Sequence, residues 1–130
     1  MGPARVRGVV LDASALIEVD RGGEYMRALV RRAVERGHAL VLPAGALAQA
    51  WRDGRNQARL AALVKHRLTE VDPIDEQMAK AAGALCGRAG TSDVVDASVV
   101  LAARLRGVAI VTSDGADLRR LDPEATIHEL

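Results

Sequence analysis

Short, wholly apolar runs along this chain alternate with longer segments in which apolar residues recur every three or four positions. Val9-Val10-Leu11, Ala39-Leu40-Val41-Leu42 and Ala109-Ile110-Val111 show no polar alternation, which marks strands buried on both faces. Leu68 to Val71, bounded by Asp72-Pro73, predicts a further strand, and Thr126 to Glu129 a last edge strand. Helical spacing covers the intervals between them. A short helix is expected over Ser14 to Val19. A longer one runs from Glu24 to Glu35, with Met26, Leu29, Val30 and Ala33 on one side and a stop at Gly37. Helices also follow over Ala44 to Trp51, Asn56 to Lys65, Ile74 to Arg88, Thr91-Ser92-Asp93 to Arg106, and Asp117 to Leu121. Strands that alternate with helices predict an α/β fold with a mostly parallel sheet covered on both faces.

Length limits this pattern to one domain, residues 1–130, because 130 residues bury one sizeable core and not two. Residues 1–7, which include Gly2, Pro3, Arg5 and Arg7, are expected to be a flexible lead-in. The core must be aliphatic, since the chain has no Phe, one Trp and one Tyr, and aromatic platforms for stacking bases are correspondingly disfavoured. A net charge of +1 neither drives nor forbids nucleic-acid binding, so any basic surface has to be local. The single cysteine, Cys86, excludes an internal disulfide and a zinc site of Cys/His spacing. Together with the absence of a membrane-spanning or targeting segment, this places the expected site of action in a reducing cytoplasm.

Aspartates carry the chemistry. In parallel α/β sheets, functional groups collect beyond the carboxyl ends of strands. Asp12 follows the first apolar run and Asp114 the fourth. Either alone is better explained by a local role, as a helix cap or a turn residue. Asp96 lies among Val94, Val95, Ala97, Val99 and Val100, where it either pairs with an N-cap Asp93 in a reciprocal capping arrangement or needs a partner for a buried charge. If Asp12, Asp96 and Asp114 converge, their repulsion raises their pKa values unless a cation neutralises them. Carboxylate oxygens without neighbouring His or Cys suit Mg²⁺ or Mn²⁺, and such ions promote phosphodiester hydrolysis.

Three segments, V-V-L-D-A-S-A-L-I at 9–17, S-D-V-V-D-A-S-V-V-L-A-A-R at 92–104 and V-T-S-D at 111–114, resemble the PIN-domain family, and within it the VapC-type toxin ribonucleases. The resemblance implies a PIN-like three-layer sandwich with a mostly parallel central sheet of four or five strands. It implies a metal-dependent endoribonuclease of a toxin–antitoxin pair, with Asp12, Asp96 and Asp114 as catalytic and metal-site residues and Ser14 and Thr112 as supporting hydroxyls. It also implies an RNA substrate, a small antitoxin partner and a homodimer. Met26, Leu29 and Val30 are groove residues for the antitoxin or core residues.

The departure is at Gln49, where the family pattern carries Glu. Glutamine keeps an oxygen but loses a charge, so Asp93 and Asp117, and less strongly Asp53, are the residues available to restore it. Arg52, Arg55 and Arg59 follow Gln49 and are candidates for phosphate contacts or simply a solvated face. The same departure leaves a second reading, a PIN-like module that binds RNA or protein without cutting. Haloacid-dehalogenase-like chemistry is disfavoured because Ser14 stands where a second Asp is needed, and neither Lys65 nor Lys80 ends a strand. Receiver domains fail on the same lysine. GxGxxG, GxxxxGK[ST] and GxSxG motifs are absent.

Overall fold

The computed structural model describes residues 7–130; of the expected lead-in, all but Arg7 lies outside the described residues. Arg7 is already tied to the sheet, since its carbonyl accepts a hydrogen bond from Ala39 N–H at 2.8 Å. The strands are β1 (Gly8–Leu11), β2 (Ala39–Pro43), β3 (Thr69–Asp72), β4 (Ala109–Thr112) and β5 (Ile127–Glu129). Every pairing is parallel, in the order β3-β2-β1-β4-β5, so the sheet is wholly rather than mostly parallel.

The helices are α1 (Ala13–Arg21), α2 (Glu24–Glu35), α3 (Ala44–Ala50), α4 (Ala58–Lys65), α5 (Glu76–Ala89), α6 (Val94–Arg106) and α7 (Gly115–Leu121). From central β1 the chain first steps outward through β2 to β3, then crosses back to β4 and β5. Right-handed crossovers in opposite directions place their helices on opposite faces. Thus α1 to α4 cover one face, and α5 to α7, which pack on one another, cover the second. The buried Val10, Leu11, Leu40, Val41, Leu42, Ile110 and Val111 form the middle layer between them. Met26 is also fully buried, which settles it as a core residue; Leu29 and Val30 are half-buried against that core.

Reversal of strand order between β1 and β4 creates the topological switch point, with a crevice at the carboxyl ends of those two strands. Close packing narrows this end of the molecule. A Cβ on Gly45 of α3 would stand 3.1 Å from Val95 Cγ2 of α6, so the small residue lets α3 come down beside the first turn of α6.

Candidate functional site

Asp12 stands at the end of β1, is 4% exposed and forms the N-cap of α1. One carboxylate oxygen accepts from Ala13 N–H at 2.7 Å, and the other from the Thr112 hydroxyl at 2.8 Å. Thr112, fully buried at the end of β4, also accepts from Asp114 N–H at 2.9 Å. A single hydroxyl therefore links the two strand-end aspartates across the switch point. Ser14 braces the same corner, accepting from Ser113 N–H at 2.9 Å and lying 3.4 Å from the Thr112 oxygen. Asp114 precedes α7, yet its carboxylate makes no capping hydrogen bond there, so the capping explanation of this residue fails.

The first turn of α6 supplies two more acids. Asp93 is the N-cap and accepts from Asp96 N–H at 3.0 Å. The return bond of a reciprocal cap is missing, because Asp93 N–H donates instead to the Thr91 hydroxyl at 3.2 Å. The Asp96 carboxyl is thus half-buried without a capping task. Asp117 of α7 is exposed, with Arg120 Nη1 at 3.9 Å.

These carboxylates sense one another. Burial pushes the Asp12 carboxyl above the usual range; Thr112 and the Ala13 N–H oppose the shift, and Asp114 and Asp93 add to it. Asp96 is pushed up to about 7, first by burial and then by the charges of Asp93, Asp12 and Asp117. Among the described residues no three acids, imidazoles or thiols stand close enough to share one ion directly. A hard cation that keeps several waters and binds through one or two carboxylates fits such an open set, and this is how Mg²⁺ is ordinarily held beside phosphates. Crowded acids raised by their neighbours are also what a cation would relieve.

The raised group sets a pH dependence for the metal-free protein. Folded Asp96 keeps a proton that the unfolded carboxyl, near 3.8, has released, so folding is favoured at low pH and loses this contribution as pH rises from about 4 through about 7. Melting curves in chelator should show this decline for wild type relative to Asp96→Asn, whose melting temperature at pH 7.5 should be equal or higher. Added Mn²⁺ should lessen the difference. A sharp loss of apo stability in Asp96→Asn would mean that the carboxylate is structural.

Other sequence-level candidates are placed less centrally. Gln49 is exposed in the last turn of α3, four residues beyond Gly45 and therefore on the side of that helix that approaches α6. Asp53 is spent on its own turn, accepting from Arg55 N–H at 3.0 Å and Asn56 Nδ2 at 2.8 Å, and does not restore the charge missing at Gln49. Arg52 folds back on the carbonyls of Trp51 and Ala48, at 2.8 and 3.3 Å, and Arg55 is exposed. Arg59 reaches the Asp20 carbonyl at 3.4 Å, at the far end of α1, about 12 Å along that helix from Asp12. Gln57 went unnoticed in the sequence and is nearly buried. It accepts from the N–H groups of Arg52 and Asp53 at 2.7 and 2.9 Å and donates to the Ala50 carbonyl at 2.9 Å, which fixes the loop after α3. No periodicity or motif distinguishes that glutamine from an exposed one.

The sequence matches the family model of the PIN domain over residues 9–123. In overall structure the chain is similar to the VapBC2 complex from Rickettsia felis bound to a DNA fragment from its promoter, with 12% identity, a TM-score of 0.69, and coverage of 94% of this chain and 98% of the other. It is similar also to FitAB bound to an IR36 DNA fragment, with 14% identity, a TM-score of 0.64 and coverage of 93% and 94%. For FitAcB from Neisseria gonorrhoeae the values are 15%, 0.62, 93% and 96%. Among curated proteins none matches the sequence. No helix among the described residues is long and apolar enough to cross a membrane.

Proposed function

Because this chain belongs to the PIN-domain family, we propose that it is a divalent-metal-dependent endoribonuclease, the toxin of a toxin–antitoxin pair, with Asp12, Asp96 and Asp114 at its centre. The observation that carries the reading is the Thr112 hydroxyl, which holds Asp12 and Asp114 at one crevice while the first turn of α6 brings Asp96 and Asp93 into electrostatic reach of Asp12. Such an arrangement costs folding energy, and among the described residues Asp12, Asp93, Asp96 and Asp114 stand in no ion pair, which supports a site built for a ligand.

Asp12, Asp96 and Asp114 would hold Mg²⁺ or Mn²⁺ directly or through water, with Asp93 and Asp117 supplying further negative charge. The ion, when bound, neutralises phosphate charge and lowers the pKa of a coordinated water. The chain's own part is to present carboxylates at one crevice, with Asp12 buried, Asp96 half-buried and Asp114 exposed. The Thr112 hydroxyl donates to Asp12 and so opposes the upward push of burial on its carboxyl, and Ser14 accepts from Ser113 N–H to brace the β4 end. The unpaired or looped form of RNA fits an open acidic crevice better than a duplex does. The VapBC and FitAB likenesses support a small antitoxin as partner, and a homodimer acting in the cytoplasm is part of the same reading. Arg52 and Arg55, which follow Gln49, remain the proposed phosphate contacts.

Gln49 also sustains a second reading, a binding module whose metal affinity has fallen below use. Cleavage of single-stranded RNA by the wild-type chain in Mn²⁺ or Mg²⁺, stopped by chelator, separates the two. The Gln49→Glu variant tests the geometry. One more hard, charged ligand at nearly constant shape should tighten Mn²⁺ binding about tenfold, or about 1.4 kcal/mol, in a calorimetric titration. Unchanged affinity would place Gln49 outside the metal's reach.

A further inference from the structure

The acids occupy the carboxyl edge of the sheet, but three clefts of the surface lead away from it and join. Ser14 and Ser113, beside the acids, line a cleft of about 530 Å³ together with Tyr25. Tyr25 also lines a second, of about 440 Å³, with Arg32, Arg36 and His38. Arg36 and His38 in turn line a third, of about 460 Å³, with Arg7 and Arg67. Tyr25 joins the first to the second, and Arg36 and His38 join the second to the third, so a track descends along α2 from the acids to the amino edge of the sheet. From Tyr25 to Arg36 it covers about 16 Å of helix rise.

Charge and exposure agree along this path. Among the described residues Arg7, Arg32, Arg36 and Arg67 stand in no ion pair, whereas the acids that border the track are already engaged. Glu18 lies 3.6 Å from Arg21, and Glu70 3.5 Å from Arg106. Four guanidinium groups come from separate segments, the approach to β1, α2, the turn after α2 and the approach to β3, and converge on one concave band in which the acid lining the last cleft, Glu70, is paired with Arg106 instead of with them. Tyr25, the chain's one tyrosine, is 51% exposed where the band meets the acidic end. A flat aromatic face followed by unpaired cations is the pairing of features that suits a strand with a base and a phosphate in each unit.

We propose that this track carries the part of a single-stranded RNA that flanks the scissile phosphate, with a base stacked on Tyr25 and successive phosphates on Arg32, Arg36, Arg7 and Arg67. The position of the scissile phosphate rests on the nuclease reading above. Arginine is the suited cation, because its planar fork grips phosphate oxygens in pairs. The acids repel the strand wherever no cation neutralises them, so the basic track supplies the affinity that the acidic end withholds.

The test uses the full chain carrying Asp12→Asn, in chelator, with labelled single-stranded RNA of roughly four and roughly twelve nucleotides, lengths within the usual range of single-strand sites. The longer strand should bind more tightly. Arg36→Glu with Arg67→Glu should weaken it at least tenfold and lower the salt slope by about 1.4, two contacts at about 0.7 each, with little effect on the shorter strand. Tyr25→Leu should weaken it about tenfold. Both arginines are exposed, so the reversals leave the core intact, and the milder Arg36→Gln with Arg67→Gln should give an intermediate loss. Equal affinity in all variants would overturn the track, as would equal displacement of the RNA by polyglutamate, which would indicate an acidic protein occupant. Metal-dependent cleavage by wild type that ignores both reversals would overturn the track alone. Length-dependent binding through the arginines with no cleavage under any metal would overturn the nuclease reading alone.

Discussion

Replacing Asp12 with Asn should abolish metal-dependent RNA cleavage, with a loss of at least about 10³-fold, or about 4 kcal/mol in the barrier. The substitution keeps the side chain's shape and the acceptor oxygen that caps Ala13 N–H. It replaces the second oxygen with an amide that neither accepts the Thr112 hydrogen bond nor ligates a cation. Because burial disfavours the charge that is removed, the apo fold should survive with a melting temperature close to that of wild type. Cleavage rates under saturating Mn²⁺, measured beside melting curves in chelator, separate chemistry from folding. A variant that cuts RNA within tenfold of wild type would remove Asp12 from the reaction, and a variant that fails to fold would make its role structural.

Thr112→Val should produce the second large effect, at a residue that would touch neither metal nor RNA. Its hydroxyl donates to Asp12 and accepts from Asp114 N–H, and it is fully buried, so no water stands ready to replace it. An Asp12 oxygen left without its donor should cost about 2 kcal/mol of stability above neutral pH. The same hydrogen bond holds the Asp12 pKa down against burial, so its loss should raise that pKa further. Protons then compete better with metal, and the acidic limb of the cleavage profile should move to higher pH. Thr112→Ser keeps the hydroxyl and should recover both properties. An unchanged pH profile and melting temperature in the Val variant would show that the Thr112 hydrogen bonds do not support the site.

The sheet and its helices were legible from local pattern. Val9-Val10-Leu11 and Ala109-Ile110-Val111 are apolar throughout because helices cover both faces of the sheet, and burial on both faces leaves no alternation. Glycines after α5 and α6, Gly90 and Gly107, adopt the left-handed conformation expected of them as helix stops, with φ of 72° and 65°. Element ends shifted by a residue or two. The last helix begins at Gly115 rather than Asp117, since a turn that follows Asp114 continues into helix without interruption.

The sequence alone also marked Asp12 and Asp114 by their place beyond the ends of strands, and Asp96 by its apolar helical surroundings, where a charge is costly. It could not decide between capping and ligation, since an aspartate before a helix satisfies both patterns equally. Only the tertiary structure decided what each carboxylate is bonded to. The Asp12 oxygens are shared between a cap and Thr112, a partner distant in sequence; Asp114 caps nothing; and Asp93 N–H turns to Thr91 and leaves Asp96 free. Asp53, the weaker of the candidates to restore the charge missing at Gln49, is consumed by its own turn. The basic track was invisible for the same reason. Arg7, Arg36 and Arg67 are isolated residues in three separate loops, and they meet because parallel strands all begin at one edge of the sheet. Hydrophobic periodicity is a local property and survives in the linear sequence, whereas the coupling of charges depends on distances that exist only after the strands have paired.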